Sequence, residues 1–199
     1  MTLSDRTRRL AIPLAAFLLG LLMLGVTAVV TLTPASRPAG SANVGGPFTL
    51  VDQDGRAVTD RSFLGQPHLV FFGFTHCPDI CPTKLFELSE ALRATGEKGR
   101  GLKALFITVD PERDKPEALK SYLSSFDDRI VGLTGTLEAI EATVRAYRGF
   151  ARKVPTKDGD YTMEHTALVY LMDKSGRFIG SFNLNRPPQE AAQELLRHV

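Results

Sequence analysis

The stretch HLVFFGFTHCPDICPTKLFELSEALRAT, residues 68–95, decides the architecture of this chain. His68 to Phe74 is a short apolar run of the kind that forms a buried strand. From Pro82 the pattern changes. Pro82 suits a first helical turn, Leu85, Leu88 and Leu92 recur on one face, and Gly96 stops the helix after Thr95. Lys103 to Val109 is the next buried-strand run. Strand, helix and strand within about 40 residues predict a parallel βαβ unit with a right-handed crossover.

Working outward, Phe48 to Val58 reads as a hairpin turning at Asp54-Gly55. Pro116 to Phe126 reads as a helix with Asp114 near its start, and Ile130 to Leu133 as a brief strand. Thr136 is the expected N-cap of a helix from Leu137 to about Tyr147. Val154 to Tyr161 is polar, holds Pro155 and Gly159, and reads as a mobile loop. Thr166 to Met172 and Arg177 to Phe182 read as strands joined through Asp173-Lys174-Ser175-Gly176, and Pro187 to His198 as a closing helix. The sum is an α/β domain with a central mixed sheet and helices on its faces.

The chain has 199 residues, 43% hydrophobic and 23% charged, with a net charge of +2. That composition is ordinary for a globular protein. It offers no basic stripe with interleaved aromatics for nucleic acid, and no glycine loop to cradle a nucleotide phosphate. Arg6, Arg8 and Arg9 precede an uncharged apolar run of 23 residues, Leu10 to Leu32. As a helix that run would reach roughly 34 Å, enough to cross a bilayer core. The basic flank favours a cytoplasmic N-terminus at residues 1–9, a membrane anchor at 10–32 and export of the rest. A cleaved signal peptide is the competing reading, although its apolar core is usually only about 7–15 residues long. Residues 33–47 are rich in small residues, Pro and Gly and read as a flexible linker to one domain at 48–199.

Cys77 and Cys81 are the only cysteines, and each is followed by a proline. They sit where a loop leaves the carboxyl end of a strand, the usual place for reactive groups in such sheets. Cys81, directly before Pro82, is expected at an N-cap-like position, where the helix dipole favours a thiolate. A continuous helix would hold the two Cβ atoms about 5–6 Å apart, whereas a disulfide needs about 3.8 Å. Pro78 and Pro82 argue against a continuous helix, so the spacing allows either a reversible disulfide or bidentate metal binding. A purely structural disulfide over so short a loop would restrain little unfolded-chain entropy.

Two thiolates favour soft metals, and zinc would want four protein ligands where no third cysteine exists. Two sulfurs and one imidazole would suit copper. Of the four histidines, His198 closes the last helix and His68 begins its strand at the end away from the cysteines. His76 abuts Cys77, but neighbouring side chains in an extended segment point apart. His165 could face the cysteine loop only if the following strand runs antiparallel to His68–Phe74, which the residues leave open.

Gly73-Phe74-Thr75-His76-Cys77-Pro78-Asp79-Ile80-Cys81-Pro82-Thr83 resembles the signature of the Sco/SenC family. So do Asp110-Pro111-Glu112-Arg113-Asp114 and Glu164-His165-Thr166, in the same order and separation. The likeness runs from about Phe48 to the C-terminus, and a membrane anchor before the domain fits it as well. The resemblance implies a thioredoxin-like fold and a copper metallochaperone that helps assemble the binuclear copper centre of cytochrome c oxidase. It implies Cys77, Cys81 and His165 as copper ligands, with His165 supplied by the mobile segment in a place that is often a cis-proline in thioredoxin-like domains. The family often has Asp before the histidine; here it is Glu164.

The partners so implied are the copper-centre subunit of the oxidase, other copper chaperones or thiol reductants, and a bacterial-type inner membrane with the domain on the periplasmic side. The rival readings are a thiol–disulfide reductase using the same cysteines, and a redox or copper sensor. Asp110–Asp114 could rim the site, but the expectation is a turn whose aspartates cap the Pro116 helix while Arg113 pairs locally.

Overall fold

A computed structural model describes residues 44–199 together with Gly20, Leu22 and Met23. The chain divides into two units, residues 1–42 and 43–199. In the first, Gly20, Leu22 and Met23 are helical; the expected anchor at 10–32 otherwise lies outside the described residues, as does the expected linker up to residue 43. Among the described residues no helix is long and apolar enough to cross a membrane.

In the second unit the strands are β1 (Thr49–Asp52), β2 (Ala57–Thr59), β3 (His68–Gly73), β4 (Lys103–Thr108), β5 (Ile130–Thr134), β6 (Ala151–Pro155), β7 (Tyr161–His165), β8 (Val169–Met172) and β9 (Phe178–Ser181). The α-helices are α1 (Ile80–Ala94), α2 (Pro116–Leu123), α3 (Leu137–Ala146) and α4 (Pro188–Leu196). A seven-stranded sheet has the order β2-β1-β5-β4-β3-β8-β9, and β6 and β7 form a separate two-stranded sheet. β3 pairs parallel with β4, as the βαβ reading requires, and β4 parallel with β5. β1 and β8 flank this parallel core antiparallel. The central sheet is therefore mixed.

Every residue of β3 is buried, which explains its unbroken apolar run. Leu85, Leu88, Ala91 and Leu92 of α1 are buried as well. Each such leucine contributes about 1.5–3 kcal/mol of transfer free energy. α4 packs on α1, and α2 packs on β5. Residues 44–47, at the end of the expected linker, touch this domain: the Gly45 N–H donates to the Ala146 carbonyl at 3.0 Å. Gly45 has φ +92°, a backbone conformation that favours glycine.

Several expectations are corrected. α1 starts at Ile80, with Asp79 as its N-cap, so Cys81 lies inside the first turn and not at the cap. The segment read as a mobile loop, 154–161, is instead largely the β6–β7 hairpin turn and its strand ends. The strand expected from Thr166 begins at Val169. The helix from Pro116 stops at Leu123, with Lys115 at its N-cap, and Asp114 does not cap it. The Thr136 cap is present: its side chain accepts the Ala139 N–H at 3.2 Å.

Candidate metal centre

The β3–α1 turn presents the two cysteines. The Cys77 N–H donates to the Phe74 carbonyl at 3.3 Å, closing the turn, and Cys77 is half-buried. The Cys81 N–H donates toward Cys77 Sγ at 3.4 Å, so the first helical turn already points a donor at the neighbouring sulfur. Both thiols are free. Cys81 is fully buried against the end of β3. A Cβ on Gly73 would stand 2.5 Å from Phe106 Cε2 and 3.0 Å from Cys81 Sγ, so this sulfur and ring occupy space that only glycine leaves. Burial pushes the Cys81 thiol up, and nearby Cys77 adds to the effect. The thiolate expected from the helix dipole is therefore disfavoured, because desolvation outweighs the dipole here.

What fixes this turn is a carboxylate from a distant part of the sequence. Asp114, completely buried, accepts the Thr75 N–H at 3.0 Å and the Thr75 hydroxyl at 2.6 Å. It also accepts the Thr108 hydroxyl at 2.6 Å, joining the end of β4 to the residues just before Cys77. Buried carboxylate oxygens need such donors, and three supply them. The segment Asp110–Asp114 is thus more than the local turn expected. Asp110 Oδ1 accepts the Tyr161 hydroxyl at 2.9 Å, and the Arg113 guanidinium lies over the Tyr161 ring with Cζ 3.4 Å from its centroid.

The imidazole arrives on β7, in register opposite Ala151. Because β8 runs antiparallel to β3 and pairs Val169 with Phe71, the chain before β8 reaches the cysteine end of the sheet. The question left by the sequence is answered in favour of His165. Its ring meets Phe74 edge-on, with centroids 5.8 Å apart at 89°. Its Nδ1 lies 3.0 Å from the Thr166 carbonyl, an acceptor only, so Nδ1 carries the proton and Nε2 keeps its lone pair. Burial lowers the pKa of this ring, which favours the neutral form that a metal requires. Glu164 points to the other side of the strand and pairs with Arg152 at 2.7 Å.

Cys77 and His165 line one cleft of about 330 Å³, walled by Phe74, Ile80 and Phe150; the buried Cys81 is not part of its lining. Among the described residues no three His, Cys, Asp or Glu side chains are gathered closely enough to hold a metal ion. The expected trio is brought to one end of the sheet but not to one point. The other histidines stand apart as expected in part. His68 is buried at the far end of β3, and His76 is exposed with Nδ1 3.1 Å from the Thr75 hydroxyl. His198 lies just beyond α4 and is half-buried. The residue that the sequence reading missed is Tyr161, whereas Asp114 and Arg113 were noted but read as a local turn and cap. The one signal for Tyr161 was its alternation with Met163 and His165.

The chain is similar to known proteins. The chain is 41% identical over 166 residues to the mitochondrial SCO1 homolog of Mus musculus, a match covering 82% of this chain and 58% of that protein. It therefore spans less than two thirds of that relative's length. It is 34% identical over 205 residues to protein SenC of Rhodobacter capsulatus, covering 98% of this chain and 91% of that one. Among solved structures it is similar to ScoI of Bradyrhizobium japonicum with copper bound, at 59% identity and a TM-score of 0.76, covering 78% of this chain and 99% of that one. The fold is the thioredoxin-like α/β fold of these proteins. The family model described as SCO1/SenC matches residues 36–199, and with these relatives it makes the chain a member of the SCO1/SenC family.

Proposed function

We propose that this chain is a membrane-anchored copper chaperone that takes copper on Cys77, Cys81 and His165 and delivers it to the copper-centre subunit of cytochrome c oxidase. The observation that carries this reading is the cleft shared by Cys77 and His165, with the buried Cys81 donating its N–H toward Cys77 Sγ. The copper named for the similar ScoI structure supports it. Thiolates with one neutral imidazole form a donor set suited to Cu(I). In this reading residues 1–9 are cytoplasmic, 10–32 span a bacterial-type inner membrane, 33–47 are the linker, and the domain from 48 faces the periplasm.

The chemistry follows from the unequal surroundings of the donors. Cys77, at the cleft surface, makes first contact with copper. Cys81 gives up its proton only to an ion that replaces it, since a bare thiolate in that site is strongly disfavoured by burial. Loading therefore releases protons and strengthens as pH rises. His165 sits outside the main sheet and is the donor that can leave while the sulfurs stay in place. Its departure opens a position for the acceptor's thiolate.

Mixing the copper-loaded full chain with the metal-free copper-centre subunit tests the reading. Copper measured in the re-isolated subunit should rise after mixing with the unaltered chain and not with Cys77→Ser. Failure of the unaltered chain to transfer would overturn it. A second reading, thiol–disulfide exchange with that subunit, is favoured by the free thiols and by the Cys81 N–H aimed at Cys77 Sγ. In that case Cys77 attacks a partner disulfide, Cys81 resolves the mixed disulfide, and His165 is dispensable.

A further inference from the structure

The β6–β7 hairpin that carries His165 pairs with no strand of the main sheet, so its position depends on side-chain contacts. It also stands between two clefts. On one side is the 330 Å³ cleft holding Cys77. On the other is a cavity of about 510 Å³ between the hairpin, the Asp110 segment and α3. Phe150 and Met163 line both. A two-stranded ribbon with open space on either side has room to pivot.

At its base the hairpin is tied to itself: the Thr166 N–H donates to the Phe150 carbonyl at 3.0 Å, and the Phe150 N–H to the Thr166 hydroxyl at 3.1 Å. Near its tip one residue, Tyr161, is held at three points. Its hydroxyl donates to Asp110 Oδ1 at 2.9 Å. Its carbonyl accepts from Arg113 Nη2 at 2.6 Å. Its ring face carries the Arg113 guanidinium at 3.4 Å. Arg113 Nε also lies 3.1 Å from Asp110 Oδ2, yet Asp110 Oδ2 has no aligned hydrogen bond. The guanidinium thus donates its aligned hydrogen bond to Tyr161 and meets Asp110 as an ion pair.

Tyr161 and His165 are four positions apart on β7 and so project from the same face, roughly 13 Å apart along the strand. Tilting the tip about the base turns the imidazole. Metal coordination tolerates only about 0.5 Å and 10–20° of error in a ligand. Four residues beyond Asp110, Asp114 of the same short segment fixes the cysteine turn through Thr75.

We propose that Tyr161 and Arg113 are positioning residues that set the reach of His165 toward Cys77, making Asp110–Asp114 a brace between the two halves of the metal site. The proposal rests on the copper reading above. Neither residue touches the metal in this account.

The test uses the full chain with Tyr161→Phe, which removes the hydroxyl and keeps the ring, in native and His165→Ala backgrounds. Cu(I) affinity is read by chelator competition, and amide hydrogen exchange over residues 151–165 is read without metal. Tyr161→Phe should weaken Cu(I) binding about three- to tenfold in the native background, the worth of one hydrogen bond. It should have no effect where His165 is absent, the signature of coupling. Exchange in the hairpin should quicken while that of the Cys77 turn stays unchanged. Equal weakening in both backgrounds, or unchanged hairpin exchange, would overturn the brace while leaving the copper reading intact. Native affinity in His165→Ala itself would instead bring down the three-ligand reading and with it the role assigned here.

Discussion

The two halves of the candidate site are built by opposite means. The cysteine turn grows out of β3, the most deeply buried strand, and is pinned by a buried carboxylate. The histidine rides on a separate hairpin, its first strand largely exposed and its second half-buried, whose hold is a few side-chain contacts. The difference teaches which donor is fixed and which is adjustable. A protein that must bind a metal tightly and still release it gains from having donors of both kinds.

Removing the pin should have the largest effect. Asp114→Ala leaves the Thr75 N–H and the Thr75 and Thr108 hydroxyls without their acceptor. Chemical denaturation should register a loss of about 3 kcal/mol or more. A loss below about 1 kcal/mol, within the range of one ordinary hydrogen bond, would mean that the turn is held by something else. Next comes Gly73→Ala, which forces a methyl against Phe106 and Cys81 Sγ. Overpacking of this kind costs about 1–3 kcal/mol. Its copper affinity should fall as well, because the buried sulfur must move.

The hairpin should respond weakly by the same measure. Tyr161→Phe should change global stability by about 1 kcal/mol or less, since the hairpin pairs with no strand of the main sheet. A loss as large as that of Asp114→Ala would erase the contrast between the two regions.

The smallest effect is a pH dependence. Burial lowers the pKa of His68 at the far end of β3 and of His165 at the site. An unfolded histidine titrates near about 6.5. Below that pH the unfolded chain binds protons that the folded chain refuses, so stability is lost as pH falls through the depressed folded values. Above it these two groups leave stability flat. Thermal melts of the metal-free chain should show this slope, and His68→Phe should flatten it more than His165→Ala, since His68 is the more buried. An unchanged slope in His68→Phe would contradict the assignment.

The rigid half was legible in the sequence, and the adjustable half was not. Strand β3, helix α1 and strand β4 announce themselves because burial writes apolar runs and helical spacing directly into the residues. The hairpin is polar on its exposed face and short of apolar alternation, so Val154 to Tyr161, with Thr156, Asp158 and Gly159, reads as loop. Asp114 was misread for a different reason. Capping rules are local, whereas its partner Thr75 lies 39 positions away. His165 was singled out by family likeness alone, because only the antiparallel β3–β8 ladder brings it to the cysteines. The helix-dipole argument for Cys81 failed because sequence does not reveal how completely a first-turn residue is desolvated.

The most direct test of the central claim is a competition titration of Cu(I) on the reduced full chain, beside Cys77→Ser, Cys81→Ser and His165→Ala. The account predicts one tightly bound copper ion per chain, binding lost in either cysteine variant, and binding weakened but retained in the histidine variant. Weak binding by the unaltered chain, or affinity indifferent to His165, would contradict it and leave thiol–disulfide exchange as the function of the pair.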